Sequence, residues 1–260
     1  MKIIVTSDDF GYNEERTLGA CKLYDDGYFS RASIMVNMPY YENAVILAKE
    51  KNIFDKIGLH LNLTEGKPLT DAVKKFTNIC DPDGSFNQVF HANSKSRLFL
   101  NKENSRALEI EIRAQIEKYI SQGFTLMHLD SHQHVHTNYS VYRILKPLIQ
   151  EYKIKSLRIS RNIPVKIRLD KRFYKILFNA KIRRAAYTTD FFTDVTAFSE
   201  FAMQIPKNAS VEIMLHPIFR KNTREYTDLD VTPMEKVYEI LSPYKQFLAK
   251  IHANTATDKK

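Results

Sequence analysis

Between residues 128 and 136 the chain reads His-Leu-Asp-Ser-His-Gln-His-Val-His, so His128, Asp130, His132, His134 and His136 fall on every second position. In an extended backbone, side chains two apart point to one face. The alternation therefore predicts a row of titratable groups side by side. The apolar run Phe124-Thr-Leu-Met127 before them reads as a buried strand. Asn138 after them opens an amphipathic helix, with Val141, Ile144, Leu145, Leu148 and Ile149 at helical spacing. The cluster thus sits where a strand ends and a helix begins, which is where open parallel sheets and βα barrels build their sites. Several imidazoles and a carboxylate at close quarters suit a divalent metal. A solvated polar loop is the plainer reading; it suits a lone histidine better than this cluster.

The same end-of-strand placement recurs along the chain. Residues 2–6 read as a buried first strand, ended by Ser7-Asp8-Asp9-Phe10-Gly11. Neighbouring strand residues face opposite ways, so Asp8 and Asp9 are expected to do different jobs. Asn13 suits an N-cap, with Glu14 and Glu15 in the first helical turn. Residues 32–37 and 56–63 read as the second and third strands, with a helix over 41–51 between them. In the third strand Gly58, His60 and Asn62 share one face. Residues 64–103 are irregular, with a turn at Asp81-Pro-Asp-Gly84, and are expected to lid the site. A helix follows with Leu108, Ile112, Ile116 and Ile120 every four residues. Strands over 156–160, 188–192 and 210–216 carry Arg158 and, at the end of the last, His216; Pro217 is expected to stop that strand. A helix over 234–248 closes the fold, and a polar tail follows. Repeated βα units predict a parallel sheet, closed or nearly closed into a barrel, with the candidate residues gathered at one face. No repeat or linker divides the chain, so a single domain over 1–260 is expected.

Net charge is +9. The excess is local: Lys166, Arg168, Lys171, Arg172, Lys175, Lys181, Arg183 and Arg184 crowd one stretch, interleaved with Phe173, Tyr174, Leu177 and Phe178. We read this as a basic helical insert at about 164–187 with a solvated basic face, in preference to a nucleic-acid patch, because no nucleic-acid motif accompanies it. Cys21 and Cys80 form no disulfide framework, which suggests a reducing compartment. The N-terminus is charged too early for a signal peptide, and no apolar run approaches the ~18 residues of a membrane span. A soluble cytoplasmic protein without a membrane partner is expected; homodimerisation is left open.

Asp8-Asp9-Phe10-Gly11, Gly58-Leu-His-Leu-Asn-Leu-Thr64 and His128–His136 together resemble the signature blocks of the YdjC-like carbohydrate deacetylases, the group that includes chitooligosaccharide deacetylase. Ser30–Asn37 and Glu212–Pro217 are similar to that family's second and last strands. The resemblance implies an α/β fold, an irregular, seven-stranded (β/α) barrel related to the polysaccharide deacetylases. It also implies a hydrolase that uses one divalent ion, Mg2+ or Zn2+, to remove acetyl groups from N-acetylated sugars or oligosaccharides. Carried over by residue, Asp9, His60 and His132 would be metal ligands, Asp8 the general base and His216 the general acid. His128 and Asp130 would support the ligands. His134, His136 and Arg158 would support the site or touch substrate. The basic stretch has no counterpart in the family pattern. A metal-dependent phosphoesterase in a similar barrel, and a non-catalytic carbohydrate- or nucleic-acid-binding barrel, are the alternatives.

Overall fold

The computed structural model describes residues 1–163, 168–229 and 231–250. Lys166 of the basic stretch and the tail at 254–260 lie outside those residues. In chain order the first half comprises β1 (Lys2–Phe10), α1 (Glu14–Asp25), β2 (Arg31–Ile34), α2 (Tyr41–Glu50), β3 (Ile57–Leu61), α3 (Val89–Ala92), α4 (Ser94–Leu98) and α5 (Lys102–Ser121). The second half adds β4 (His128–Ser131), α6 (Tyr139–Glu151), β5 (Ser156–Leu157), α7 (Leu169–Ala185), β6 (Phe191–Asp194), α8 (Val195–Phe201), β7 (Ser210–Leu215), β8 (Pro217–Arg220), β9 (Glu225–Asp228), β10 (Thr232–Pro233) and α9 (Met234–Leu241).

Strands buried on both faces carry near-continuous apolar runs, as parallel sheets covered by helices require. Accordingly β1, β2, β3, β4 and β7 lie almost wholly buried, and seven strands pair in the order β5-β4-β3-β2-β1-β7-β6, each pairing parallel. The outer strands curl toward each other. The Leu157 amide donates to the Tyr187 carbonyl (2.9 Å), the Tyr187 amide to the Lys155 carbonyl (3.0 Å), and the Phe192 amide to the Asn162 side chain (2.9 Å). The expected barrel is thus a curled parallel sheet with an irregular seam between β5 and β6.

Several helices begin where their caps dictate. The Asn13 side chain accepts from the Arg16 amide (2.9 Å) and the Asn101 side chain from the Asn104 amide (2.7 Å), satisfying amides that the helix leaves open. In α6 all five residues of the expected apolar stripe are buried. In α5 the stripe holds through Ile116, but Ile120 turns outward and is partly exposed.

The boundaries differ from the sequence reading in instructive places. Residues 124–127 are not a strand; β4 begins at His128 and lies within the histidine cluster itself. The second strand is shorter than expected, β5 ends before Arg158, and the sixth strand starts later. The closing helix gives way to a tighter 3-10 turn at Ser242–Phe247. β7 ends before Pro217 as expected, and Pro217 opens β8, the first strand of an antiparallel sheet with β9 and β10. There α1 lies so close that a Cβ on Gly19 would sit 2.2 Å from the Pro217 carbonyl oxygen, so only glycine fits. The contact fixes the direction of the chain just after His216. The segment at 64–103 packs against α5: buried Glu111 accepts from the Leu69 and Thr70 amides (3.0 and 2.8 Å). Of the basic stretch, Leu169–Ala185 form α7, which falls between β5 and β6 in the chain.

Beneath the barrel mouth lies a buried ionic network. Fully buried Arg158 donates to Asp8 through both terminal nitrogens (2.6 and 2.7 Å), and approaches Asp130 and Glu212 at 2.8 Å each. Arg31 reaches Glu212 at 2.7 Å. Burial favours the neutral acid at Glu212, but the Arg158 and Arg31 guanidiniums outweigh it and pull the carboxyl from 4.5 down to about 2. A carboxyl depressed on folding stabilises the fold above its unfolded value, and that contribution is lost as pH falls through the folded one. Wild-type stability should therefore drop between pH 4.5 and about 2. Glu212→Gln should cost ~3 kcal/mol or more at neutral pH, because it leaves buried cations under-compensated. It should also flatten the acid limb across that window. Denaturant melts from neutral to acid pH test this; an acid limb as steep in the variant as in the wild type would assign the loss to other groups.

Candidate active site

The β1 backbone breaks the strand rule where it matters. The pairing of β1 with β2 shifts register between Ser7 and Phe10, and Asp9 adopts φ +62°, in the left-handed region. Aspartate tolerates that region better than most residues. The bulge brings the two neighbouring carboxylates to one cleft instead of opposite faces. Asp8 Oδ2 and Asp9 Oδ2 lie 3.8 and 4.0 Å from His216 Nε2.

His60 comes from β3. Its Nδ1 donates to Asp130 Oδ1 (2.7 Å), which turns Nε2 toward Asp9 Oδ1 at 3.2 Å. A carboxylate behind an imidazole is the usual device for orienting a metal-binding histidine. Burial would lower the His60 pKa, but Asp130 and Asp9 outweigh it and raise it to about 10. His132 begins the turn after β4; its Nδ1 donates to Asp9 Oδ1 (2.8 Å) and its Nε2 lies 3.2 Å from Glu65. Burial would raise the Asp9 carboxyl, yet the hydrogen bonds from His132 and His60 hold it well below the usual range. Arg16 pairs with the other oxygen of Asp9.

Asp9, His60 and His132 can thus bring one ligand atom each within 4.8 Å of one another. One carboxylate and two imidazoles, from three strand ends, fit a divalent cation and leave positions for water and substrate. Two further His and carboxylate groupings lie deeper: Asp8 with His60 and Asp130, and His128 with Asp130 and Glu212. Arg158 touches Asp8, Asp130 and Glu212, so its guanidinium already supplies the positive charge there.

The expected row of five side chains holds only for His128 and Asp130. The chain then enters a 3-10 turn, His132–Thr137, with Gln133 and His134 at φ +50° and +56°. This disperses the remaining histidines. His136 Nε2 donates to the Arg158 carbonyl (3.0 Å), and its Nδ1 accepts from Ser131 Oγ (2.5 Å), so it ties the turn to the residue after β5. Burial pushes its pKa down to about 4, which keeps it neutral in that role. His128 Nδ1 meets Ser156 Oγ (2.9 Å) beneath the cleft. His134 lines the cleft, edge-on to Phe192, and its buried Nδ1 has no hydrogen-bond partner among the described residues.

The cleft holds about 220 Å³ and is lined by Asp8, Asp9, His60, His132, His134 and His216, together with Arg16, Glu65, Ser131, Gln133 and Leu229. Glu65, Arg16 and Gln133 were not foreseen. Glu65 directly follows the block Gly58-Leu-His-Leu-Asn-Leu-Thr64, and that adjacency was the available signal. Of the segment at 64–103, Glu65 alone is among the lining residues. A larger cleft of about 490 Å³ opens between α6 and α7, but it contains none of these groups, so chemistry assigns the site to the smaller one.

The family described as YdjC-like protein matches residues 2–245. A carbohydrate deacetylase of Brevibacillus brevis is 31% identical over 230 residues, covering 84% of this chain and 82% of its own. One from Listeria monocytogenes is 29% identical over 248 residues, covering 93% and 91%. A crystal structure from Enterococcus faecalis V583, of a protein provisionally assigned to cellobiose-phosphate cleavage, superposes with a TM-score of 0.70 at 20% identity, covering 98% of each chain. At that identity the likeness speaks for the fold alone.

Proposed function

The chain belongs to the YdjC-like family, and from that premise we propose that it is a metal-dependent carbohydrate deacetylase, acting on the acetamido group of N-acetylated sugars or oligosaccharides. The observation that carries this reading is the meeting of Asp9, His60 and His132 from three strand ends, with Asp8 and His216 beside them. Relatives near 30% identity that are named carbohydrate deacetylases support the substrate class.

Asp9, His60 and His132 would hold one divalent ion, Mg2+ or Zn2+. Such an ion, when bound, polarises a carbonyl and lowers the pKa of water. The rest is done by the protein's own groups. Arg158 grips both oxygens of Asp8 and fixes the carboxylate plane. Asp8 Oδ2 then accepts the proton of the attacking water. His216 Nε2, 3.8 Å from that oxygen, delivers a proton to the amine nitrogen as the carbon–nitrogen bond breaks. Asp228 accepts the His216 backbone amide at 2.5 Å and holds the residue at the cleft wall. Asp130 supports His60 from behind with His128 beside it, His136 ties down the turn after β4, and His134 lines the cleft.

Metal-dependent phosphoesterases often use two ions. The deeper carboxylates here are already neutralised by Arg158, which favours one ion and acyl chemistry. A panel of N-acetylated mono- and oligosaccharides, assayed for acetate with metal-reconstituted protein, tests the proposal. Acetate release is expected; phosphate release from sugar phosphates without acetate release would instead favour the phosphoesterase.

His216→Ala should keep fold and metal content and lower turnover by ~10²-fold or more, the scale of one acid–base group. The loss should shrink on a synthetic acetate ester, whose alcohol leaves with less need of a proton. Equal losses on amide and ester would reject the leaving-group role.

A further inference from the structure

The outward face of α7 is apolar. Its inward face buries Phe178, Asn179 and Ile182. On the other side Leu169, Phe173, Ile176 and Leu177 recur at helical spacing, 74, 68, 57 and 62% exposed. The solvated basic face expected from the sequence is therefore split by an apolar stripe. Contiguous exposed apolar side chains of this size mark an interaction surface.

Cations flank the stripe. Arg172 and Arg183 lie on one side of the helix, Lys181 and Arg184 on the other. The helix carries six Lys and Arg against one acid, Asp170, which already pairs with Arg168 at 3.2 Å. Past Lys181 and Arg184 the surface continues into the cleft between α6 and α7, where Arg143 and Lys146 face them. Among the described residues none of these last four cations pairs with a carboxylate. The amino-terminal half of α7 lies near the barrel mouth: Tyr174 donates to the Thr137 carbonyl (2.8 Å), at the end of the turn that begins with His132.

We propose that α7 docks the protein on an anionic bilayer surface. The apolar stripe enters the boundary between headgroups and acyl chains, and the cations of α6 and α7 take the lipid phosphates. Charge complementarity selects this occupant. A second copy on the same face would set six cations against six. A nucleic acid would match the charge but leave Phe173 and Leu177 against phosphate. No helix among the described residues is long and apolar enough to cross a membrane, so the contact is peripheral. It involves none of the cleft residues and stands whether or not the deacetylase reading holds.

The test is sedimentation of the full chain with vesicles of phosphatidylcholine alone and of equimolar phosphatidylcholine and phosphatidylglycerol. Binding is expected to the anionic vesicles only, and to weaken with salt. Phe173→Ser with Leu177→Ser should reduce partition by at least ~10-fold with unchanged thermal unfolding, since these side chains are solvent-facing. Lys181→Gln with Arg184→Gln should reduce it by roughly fivefold per charge. Three results would overturn the proposal: no binding to anionic vesicles; binding that the Phe173 and Leu177 changes leave intact; or a wild-type dimer that those changes dissociate, which would make a second copy the occupant.

Discussion

Asp8→Asn is expected to leave the metal in place and to cut acetate release by ~10³-fold, within the range that loss of a positioned base produces. The change is nearly isosteric and keeps an oxygen for the Arg158 fork, so Arg158 should still hold the side chain. What disappears is the ability to accept a proton. Asp9→Asn should behave differently. Asp9 Oδ1 stands between His60 Nε2 and His132 Nδ1, and its replacement should weaken the metal itself. Measuring bound metal beside turnover separates the two. Equal metal loss in both variants would make Asp8 a ligand and send the base elsewhere.

His132→Ala should abolish both metal binding and turnover. Substitution of a group that merely supports a ligand costs ~10–100-fold in metal affinity; removal of a ligand should cost more. Asp130→Ala, which frees His60 to rotate without removing a ligand, gives the internal comparison, because Asp130 Oδ1 holds His60 Nδ1 at 2.7 Å. The fold should survive His132→Ala, since the histidine sits in a turn at the mouth and the core lies below it. Full metal occupancy in His132→Ala would remove it from the ligand set.

The two aspartates also show where sequence reasoning stopped. Strand periodicity correctly gathered Asp8, Asp9, His60 and His216 at strand ends, because buried parallel strands write themselves as apolar runs and the polar residues mark where they finish. It could not foresee the bulge. A single residue at positive φ reverses the facing rule, and Asp9 is no glycine to announce it. The histidine row failed for the same reason: Gln133 and His134 leave the extended region, so a period of two ended at Ser131. Arg158 was placed at a strand end, but its hold on Asp8 and Glu212 crosses 150 and 54 residues of chain, and no local pattern encodes that pairing. Glu65 directly follows the block that ends at Thr64, and Arg16 lies in the first helix, where no alternation marks a site residue. The apolar residues of α7 were visible, yet helical spacing cannot say which of two apolar faces the barrel buries.

A single titration bears most directly on one ion serving one deacetylation centre. Metal-depleted protein is titrated with Zn2+ or Mg2+ while bound metal and acetate released from an N-acetylated sugar are followed in the same samples. Acetate release should be absent without metal, rise in proportion to occupancy and level off at one ion per chain. Undiminished release from metal-free protein, or a rise that continues to a second equivalent, would contradict the account.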